Sequence, residues 1–201
     1  MKKLFVSYFS ILLLIFLSSC KEEENRMVDF KVDFATVINQ PQLRFQFDNG
    51  QIFTPVNPEA YQGATGQRVI MNYTPRENNT LYINSIANIH TDVIRTEGFS
   101  ESIAIEPLRI QSVWVGGNHL NMILEILHHS APHTVRLFQN TDANDIELHF
   151  SYSRNQDPVG TSRILHLSFL LSSLRGEADP PVPFRLFINT HDRMREFEMV
   201  F

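Results

Sequence analysis

Cys20 carries the plainest chemistry in the chain, and it is the only cysteine. A single thiol excludes an intrachain disulfide framework and a cysteine-rich zinc site. Leu17-Ser18-Ser19 precede it, giving the lipobox pattern of an aliphatic residue, two small ones and cysteine. There the thiol is alkylated by a diacylglycerol, the small residues admit the peptidase, and the new amino terminus is acylated. Three acyl chains anchor far more firmly than the one chain that binds only marginally. Upstream, Lys2-Lys3 make a positive n-region and Leu4 to Leu17 an apolar stretch of signal-peptide length, short for a membrane span of roughly 20 residues. The bland alternatives are a small buried hydrophobe at Cys20, an uncleaved amino-terminal helix, or cleavage elsewhere.

Histidines are the next candidates. His119, His128, His129 and His133 cluster in sequence. If residues 120–128 form a strand, His128 and His129 point to opposite faces and cannot share an ion through it. His129 to His133 has a helical spacing that Pro132 breaks. The expectation is therefore no metal. Carboxylates pair at Asp142 and Asp145, near Glu147, and at Glu196 and Glu198. The last two share one strand face. Glycosidase chemistry needs two carboxyls facing across a cleft, and acidic residues in such a domain are usually solvated. Asp142-Ala143-Asn144-Asp145 lacks calcium-loop spacing. No Ser/His/Asp combination lies in a nucleophile elbow. Gly116-Gly117 opens no helix, so a bulge or tight turn is the natural reading. Trp114 is either core or a sugar-stacking platform. The chain is expected to be no enzyme and to hold no cofactor.

The elements that position these residues are strands. Sixteen Phe against one Trp favour strand over helix. Val28 to Phe34 and Leu43 to Phe47 alternate apolar and polar, the half-buried strand pattern. Asp48-Asn49-Gly50 between alternating segments signals a hairpin with a type I′ turn. Arg68 to Tyr73 and Thr80 to Val93 complete about five strands, suited to a small barrel. Glu97-Gly98-Phe99-Ser100-Glu101 marks a boundary. Beyond it, short strands recur at sandwich-like spacing. Leu120 to His128 is long and apolar; its β neighbours and the preceding Gly-Gly favour strand. Ser172 to Gly176 has room for a helical turn, and Asp179 to Pro183 is a stiff connector. The chain is acidic, with net charge −5, and has no basic run, so nucleic acid is not an expected partner. Lys21 to Arg26 cannot bury apolar area and reads as a solvated tether.

Two stretches, Phe47-Asp48-Asn49-Gly50-Gln51-Ile52-Phe53-Thr54-Pro55 and Gly66-Gln67-Arg68-Val69-Ile70-Met71-Asn72-Tyr73, resemble the amino-terminal OB-like domain of NigD-like lipoproteins. In that family a strand ends in D-x-G and a later one opens with G-x-R-V. Trp114-Val115-Gly116-Gly117-Asn118-His119-Leu120-Asn121, with Ile146 to Tyr152 and Leu165 to Phe169, resembles its carboxy-terminal β-sandwich domain. The motifs are short, and their order together with the lipobox carries the resemblance.

It implies an all-β protein: a small OB-like barrel followed by an antiparallel β-sandwich. The expected divisions are a signal peptide over 1–19, lipidated Cys20 and an acidic tether over 20–27, the barrel domain over 28–97 and the sandwich domain over 98–201. The expected function is non-catalytic: a lipid-anchored binding or accessory protein of the cell envelope, recognising a protein or a glycan. The alternative is a bacteriocin-immunity lipoprotein that binds a toxin or shields its target. Cys20 is the one functional position that transfers, and no ligand-binding residue is assigned. The expected location is the Gram-negative outer membrane. The glutamates after Cys20 resemble a surface-export signal of some Gram-negative lipoproteins; a spacer off anionic headgroups is the other reading. Nothing in the sequence fixes the oligomeric state.

Overall fold

A computed structural model describes residues 29–97, 99, 103–176 and 181–201. The leader, Cys20 and the acidic tether lie outside the described residues. So do most of the Gly98–Glu101 turn and part of the Asp179–Pro183 connector.

Thirteen strands and two single 3-10 turns, at Pro58–Ala60 and Ser172–Leu174, make up the regular structure of the described residues. The first five strands are β1 (Lys31–Ile38), β2 (Arg44–Phe47), β3 (Ile52–Pro55), β4 (Arg68–Arg76) and β5 (Thr80–Asn88). They close into a barrel in the order β1-β2-β3-β5-β4, with the strand number of an OB fold. Alternation sets the inside: Ala35, Val37, Phe45, Val69, Met71 and Leu81 are each fully buried. Burial of a large apolar side chain contributes about 1.5–3 kcal/mol, so this small core suffices to hold the barrel shut.

The β2–β3 turn differs from the expected type I′. Gly50 has φ +83°, but Asn49 is not in the left-handed region. The Gly50 amide closes on the Phe47 carbonyl at 2.9 Å and the Phe47 amide on the Gln51 carbonyl at 2.8 Å. The turn is thus centred on Asp48-Asn49 with Gly50 as the left-handed residue after it, the longer hairpin alternative. This leaves Asp48 on the outside of the barrel.

The remaining strands are β6 (His90–Arg95), β7 (Arg109–Gly116), β8 (His119–His128), β9 (Thr134–Asn140), β10 (Glu147–Ser153), β11 (Thr161–Leu170), β12 (Pro183–Asn189) and β13 (Met194–Val200). They form one eight-stranded sheet in the order β13-β12-β10-β9-β6-β11-β8-β7. The sheet folds over its own core, as a sandwich does. Most pairings are antiparallel, but β6 runs parallel to both neighbours and β10 parallel to β12. β6 spans the fold. His90 to Val93 pair with β11, and Ile94 and Arg95 with β9.

Residues 90–95 were expected in the first domain. They pair in the second sheet, and only Ile89 separates β5 from β6. The Thr80–Val93 run reads as barrel because no Gly or Pro marks the crossing from β5 to β6.

β8 is a strand, as expected. Leu120, Met122, Leu124 and Ile126 face the sandwich core. Asn121 on the opposite face is also fully buried, because the barrel sits on that end of the sheet. Burial on both faces explains why the run lacks clean alternation.

Candidate functional site

The barrel and the sandwich meet through a buried ion pair. Two cross-strand pairs face each other there: Thr36 opposite Arg68 on β1 and β4, and Asn121 opposite Ser168 on β8 and β11. Period-2 alternation turns all four toward the junction. Arg68 is 1% exposed. Its guanidinium meets Asp48 Oδ1 at 2.8 Å and Asp48 Oδ2 at 3.1 Å. It also donates to Asn121 Oδ1 at 2.8 Å, Thr36 Oγ1 at 3.1 Å and Ser168 Oγ at 3.3 Å. Asn121 Nδ2 returns to Asp48 Oδ2 at 2.9 Å, and Ser168 donates to Asn121 Oδ1 at 2.5 Å. Every guanidinium nitrogen is thus engaged, as a buried cation requires.

Gly116 and Gly117 serve this contact. A Cβ at Gly116 would lie 2.5 Å from Asp48 Oδ2, so only glycine lets the Asp48 turn seat. The Gly117 amide donates to the Asp48 carbonyl at 3.1 Å, and Gly117-Asn118 make the tight β7–β8 turn expected of them. His119, next in the chain, is pushed down to about 4 by burial first and then by the Arg68 cation, against a smaller opposite pull from Asp48. It is neutral at physiological pH.

Beside this junction lies a cleft of about 340 Å³. β1 outruns β2: its pairing with β4 runs from Lys31, but its pairing with β2 begins only at Ala35. The wedge between Val32–Phe34 and the Asp48–Gln51 turn is therefore open, and Trp114 of β7 closes its far wall. Trp114 is half-buried. Its ring meets Phe34 edge-on, with centroids 5.0 Å apart. Tyr73 donates its phenol proton to Asp33 Oδ2 at 2.9 Å. Burial, and then Asp33, raise the Tyr73 phenol far above its ordinary range, so it stays a neutral donor.

The histidines divide. His128 and His133 come together, with ring centroids 5.0 Å apart, and with Asp157 their ligand atoms lie within 4.8 Å of one another. His129 is not part of this group; it contacts Ser130 Oγ at 3.0 Å. The donor set does not fit a metal. Asp157 Oδ1 accepts the amides of Ser130 and Ala131 at 3.1 and 2.9 Å. Its Oδ2 accepts the His129 amide at 2.7 Å and meets His133 Nε2 at 3.0 Å. The second His133 nitrogen meets the Tyr152 hydroxyl at 2.8 Å. Within this group, His128 keeps a buried nitrogen, Nδ1, without a partner. An ion would have to displace the His133 Nε2 bond to Asp157, whose carboxylate already holds three backbone amides, so the cluster serves as an anchor for the 129–131 turn. Burial works to raise Asp157, but the three amides and His133 prevail and hold it well below the carboxylate range.

Glu147, Glu196 and Asp145 gather on one cation, Arg185, whereas Asp142 and Glu198 make no ion pair among the described residues. Arg185 pairs closely with Glu147 and reaches Glu196 at 3.4 Å and Asp145 at 3.9 Å. Glu147 also accepts from Asn140 at 3.0 Å. Sequence reasoning missed the Asp157 anchor, whose partners lie 24–28 residues away, and the Asp33–Tyr73 bond, whose members lie 40 apart. No local spacing signals either.

Solved structures share this architecture. A protein described as toxin related from Parabacteroides distasonis superposes with a TM-score of 0.75 at 24% identity, covering 86% of this chain and 93% of that one. A NigD-like immunity protein from Bacteroides caccae gives 0.63 at 19% identity, over 86% and 97%. A protein described as a lipoprotein from Bacteroides fragilis gives 0.66 at 12% identity, over 86% and 98%. These likenesses establish the fold. No curated protein matches the sequence. The model of the NigD-like C-terminal beta sandwich domain matches residues 91–200, a span that opens in β6, where the second sheet begins. The stretches that resemble the family in sequence, around Asp48, Arg68 and Gly116-Gly117, are the ones that join barrel to sandwich, and the chain belongs to the NigD-like family.

Proposed function

We propose that the chain is a lipid-anchored protein of the Gram-negative cell envelope that binds a partner outside the bilayer and catalyses no reaction. One observation carries the non-catalytic part. Among the described residues, the carboxylates of Asp48, Asp157 and Glu147 are each tied to a basic side chain, Arg68, His133 and Arg185. A catalytic acid, base or nucleophile needs a free lone pair or proton within reach of substrate, which these three paired carboxylates do not offer.

The anchor rests on the lipobox and leader. In this proposal residues 1–19 are a cleaved signal peptide, Cys20 is the lipid attachment site, and 20–27 form an acidic tether that holds the β units away from the headgroups. A second reading, bacteriocin immunity by binding a toxin or shielding its target, draws support from the name of the Bacteroides caccae neighbour.

Labelling with radioactive palmitate tests the anchor. Incorporation that is lost in Cys20→Ala is expected, and label that survives the substitution refutes it. Protease shaving of intact cells tests display, since an untouched protein lies beneath the membrane. Cross-linking in cells followed by capture separates the two roles. A toxin in the captured complex, or protection of sensitive cells, favours immunity.

A further inference from the structure

We propose that the cleft between β1, the β2–β3 turn and Trp114 is a saccharide site that takes a neutral mono- or disaccharide unit. This rests on the binding role proposed above and names the ligand class. The volume, about 340 Å³, is at the lower end of small-molecule sites, roughly 300–1,000 Å³, too small for a folded partner.

The lining combines two chemistries. Trp114, Phe34 and Tyr73 present aromatic surface, while Asp33, Asn49 and Gln51 bring planar polar groups to the same cleft. Tyr73 occupies Asp33 Oδ2 and so fixes the carboxylate in place. Oδ1 accepts no bond from the described residues and is available to a ligand hydroxyl. Asn49 Nδ2 donates to Gln51 Oε1 at 3.0 Å, and the Gln51 Nε2 group donates to no other described residue. The Gln51 NH₂ group can therefore donate to a ligand oxygen. An acceptor, a donor and an aromatic wall together suit a ring with hydroxyls at its edge and C–H groups on its face.

Charge removes the competitors. No described lining residue is a cation, and Arg68 at the adjoining junction has all its nitrogens committed, so a phosphate, sulfate or uronate finds no counter-charge in the lining. A purely apolar ligand would strip water from Asp33, Asn49 and Gln51 without replacing it. A neutral sugar leaves none of these groups unpaired.

The test uses the full chain, purified in detergent, on an array of neutral, amino and acidic saccharides, followed by calorimetry with the best neutral ligand. Neutral saccharides are expected to bind. Trp114→Ala and Asp33→Asn each weaken binding about tenfold, the effect of one lost stacking or hydrogen-bonding contact. Gln51→Ala weakens it about threefold, and His191→Ala leaves it unchanged. Since Trp114→Ala also removes packing against Phe34, Trp114→Phe serves beside it and retains part of the affinity. The proposal is overturned if no saccharide binds, if acidic saccharides or a cationic peptide bind in preference, or if Asp33→Asn and Trp114→Phe bind as the unaltered chain does while circular dichroism shows both folded. A silent array with a protein partner captured by cross-linking would remove the saccharide and keep the binding role. A positive array with no palmitate at Cys20 would do the reverse.

Discussion

Asp48→Ala is the substitution that most directly tests how the two β units hold together. It removes both carboxylate contacts of Arg68, at 2.8 and 3.1 Å, and leaves a guanidinium with 1% exposure on neutral acceptors alone. Removing one partner of a buried ion pair costs about 3–5 kcal/mol, because the other charge stays desolvated. The Asp48 side chain is 18% exposed, so water reaches the vacated site and the lower figure, about 3 kcal/mol, applies. For a chain of this size that lowers the thermal midpoint by roughly 6–12 °C. Replacing both charges, in Asp48→Ala with Arg68→Met, removes the buried charge, and Asn121 and Ser168 still bond each other. The double variant therefore loses only about 1–2 kcal/mol. The resulting cycle has a coupling of about 2 kcal/mol or more. Urea and thermal unfolding can be followed by fluorescence of Trp114, the only tryptophan, which stands against Phe34 at the junction. An Asp48→Ala loss below about 1 kcal/mol, or a double variant equal to the sum of the singles, refutes the claim that this pair is the clamp.

Two more outcomes follow from the geometry. Asp157→Ala strands three backbone amides and His133 and lowers the thermal midpoint by roughly 5–10 °C; added Zn²⁺ leaves the midpoint of the unaltered chain where it was, and a rise on zinc addition in differential scanning fluorimetry would restore the metal reading. His119 gives acid sensitivity. Its folded value is about 4 against about 6.5 in the unfolded chain, so the unfolded state takes up the proton first. The stabilisation is complete above about pH 6.5 and declines as pH falls from there to about 4. The full shift amounts to about 3 kcal/mol, reduced to about 1–2 by solvent at the partly exposed ring. His119→Asn flattens urea-derived stability over that window; an unchanged slope rules His119 out as its source.

The fold was legible where alternation was clean. β2 and β4 read directly, and β8 read as strand from its neighbours; β1, expected over Val28–Phe34, runs instead over Lys31–Ile38, with Phe30 and Val32 exposed and Ala35 and Val37 facing the barrel core. What failed to read depends on contacts distant in sequence. β6 joins the second sheet because strands β9 and β11, made of residues 134–140 and 161–170, flank it; no turn residue separates it from β5. Asn49-Gly50 correctly marked a hairpin, but the turn form was set by Asp48, which has to seat against Gly116. Arg68 stood in the family-like stretch as a motif letter. Its role needs Asn121 and Ser168 at 53 and 100 residues' distance. Trp114 read as core or as platform, and the structure gives a half-buried ring at a cleft wall. Local spacing did not signal that His128 meets His133, and Asp157, which organises that turn, was invisible.

The clamp also imposes an order of assembly. A chain made from its amino terminus produces the barrel strands first, and their seam can close on local contacts. Arg68 then has Thr36 and Asp48 but not Asn121 or Ser168, and one face of the barrel stays wet. β6 emerges next with both edges open, awaiting β9 and then β11. Only the arrival of residues 161–170 covers one edge of β6, pairs with β8 and completes the guanidinium site in a single step. A nascent or truncated chain that stops short of this strand has an unpaired strand in mid-sheet and an incompletely bonded cation beside it. Both are features that proteases and holding chaperones act on, so docking of β11 is a checkpoint on the chain up to that strand, passed before β12 and β13 add to the edge of β10.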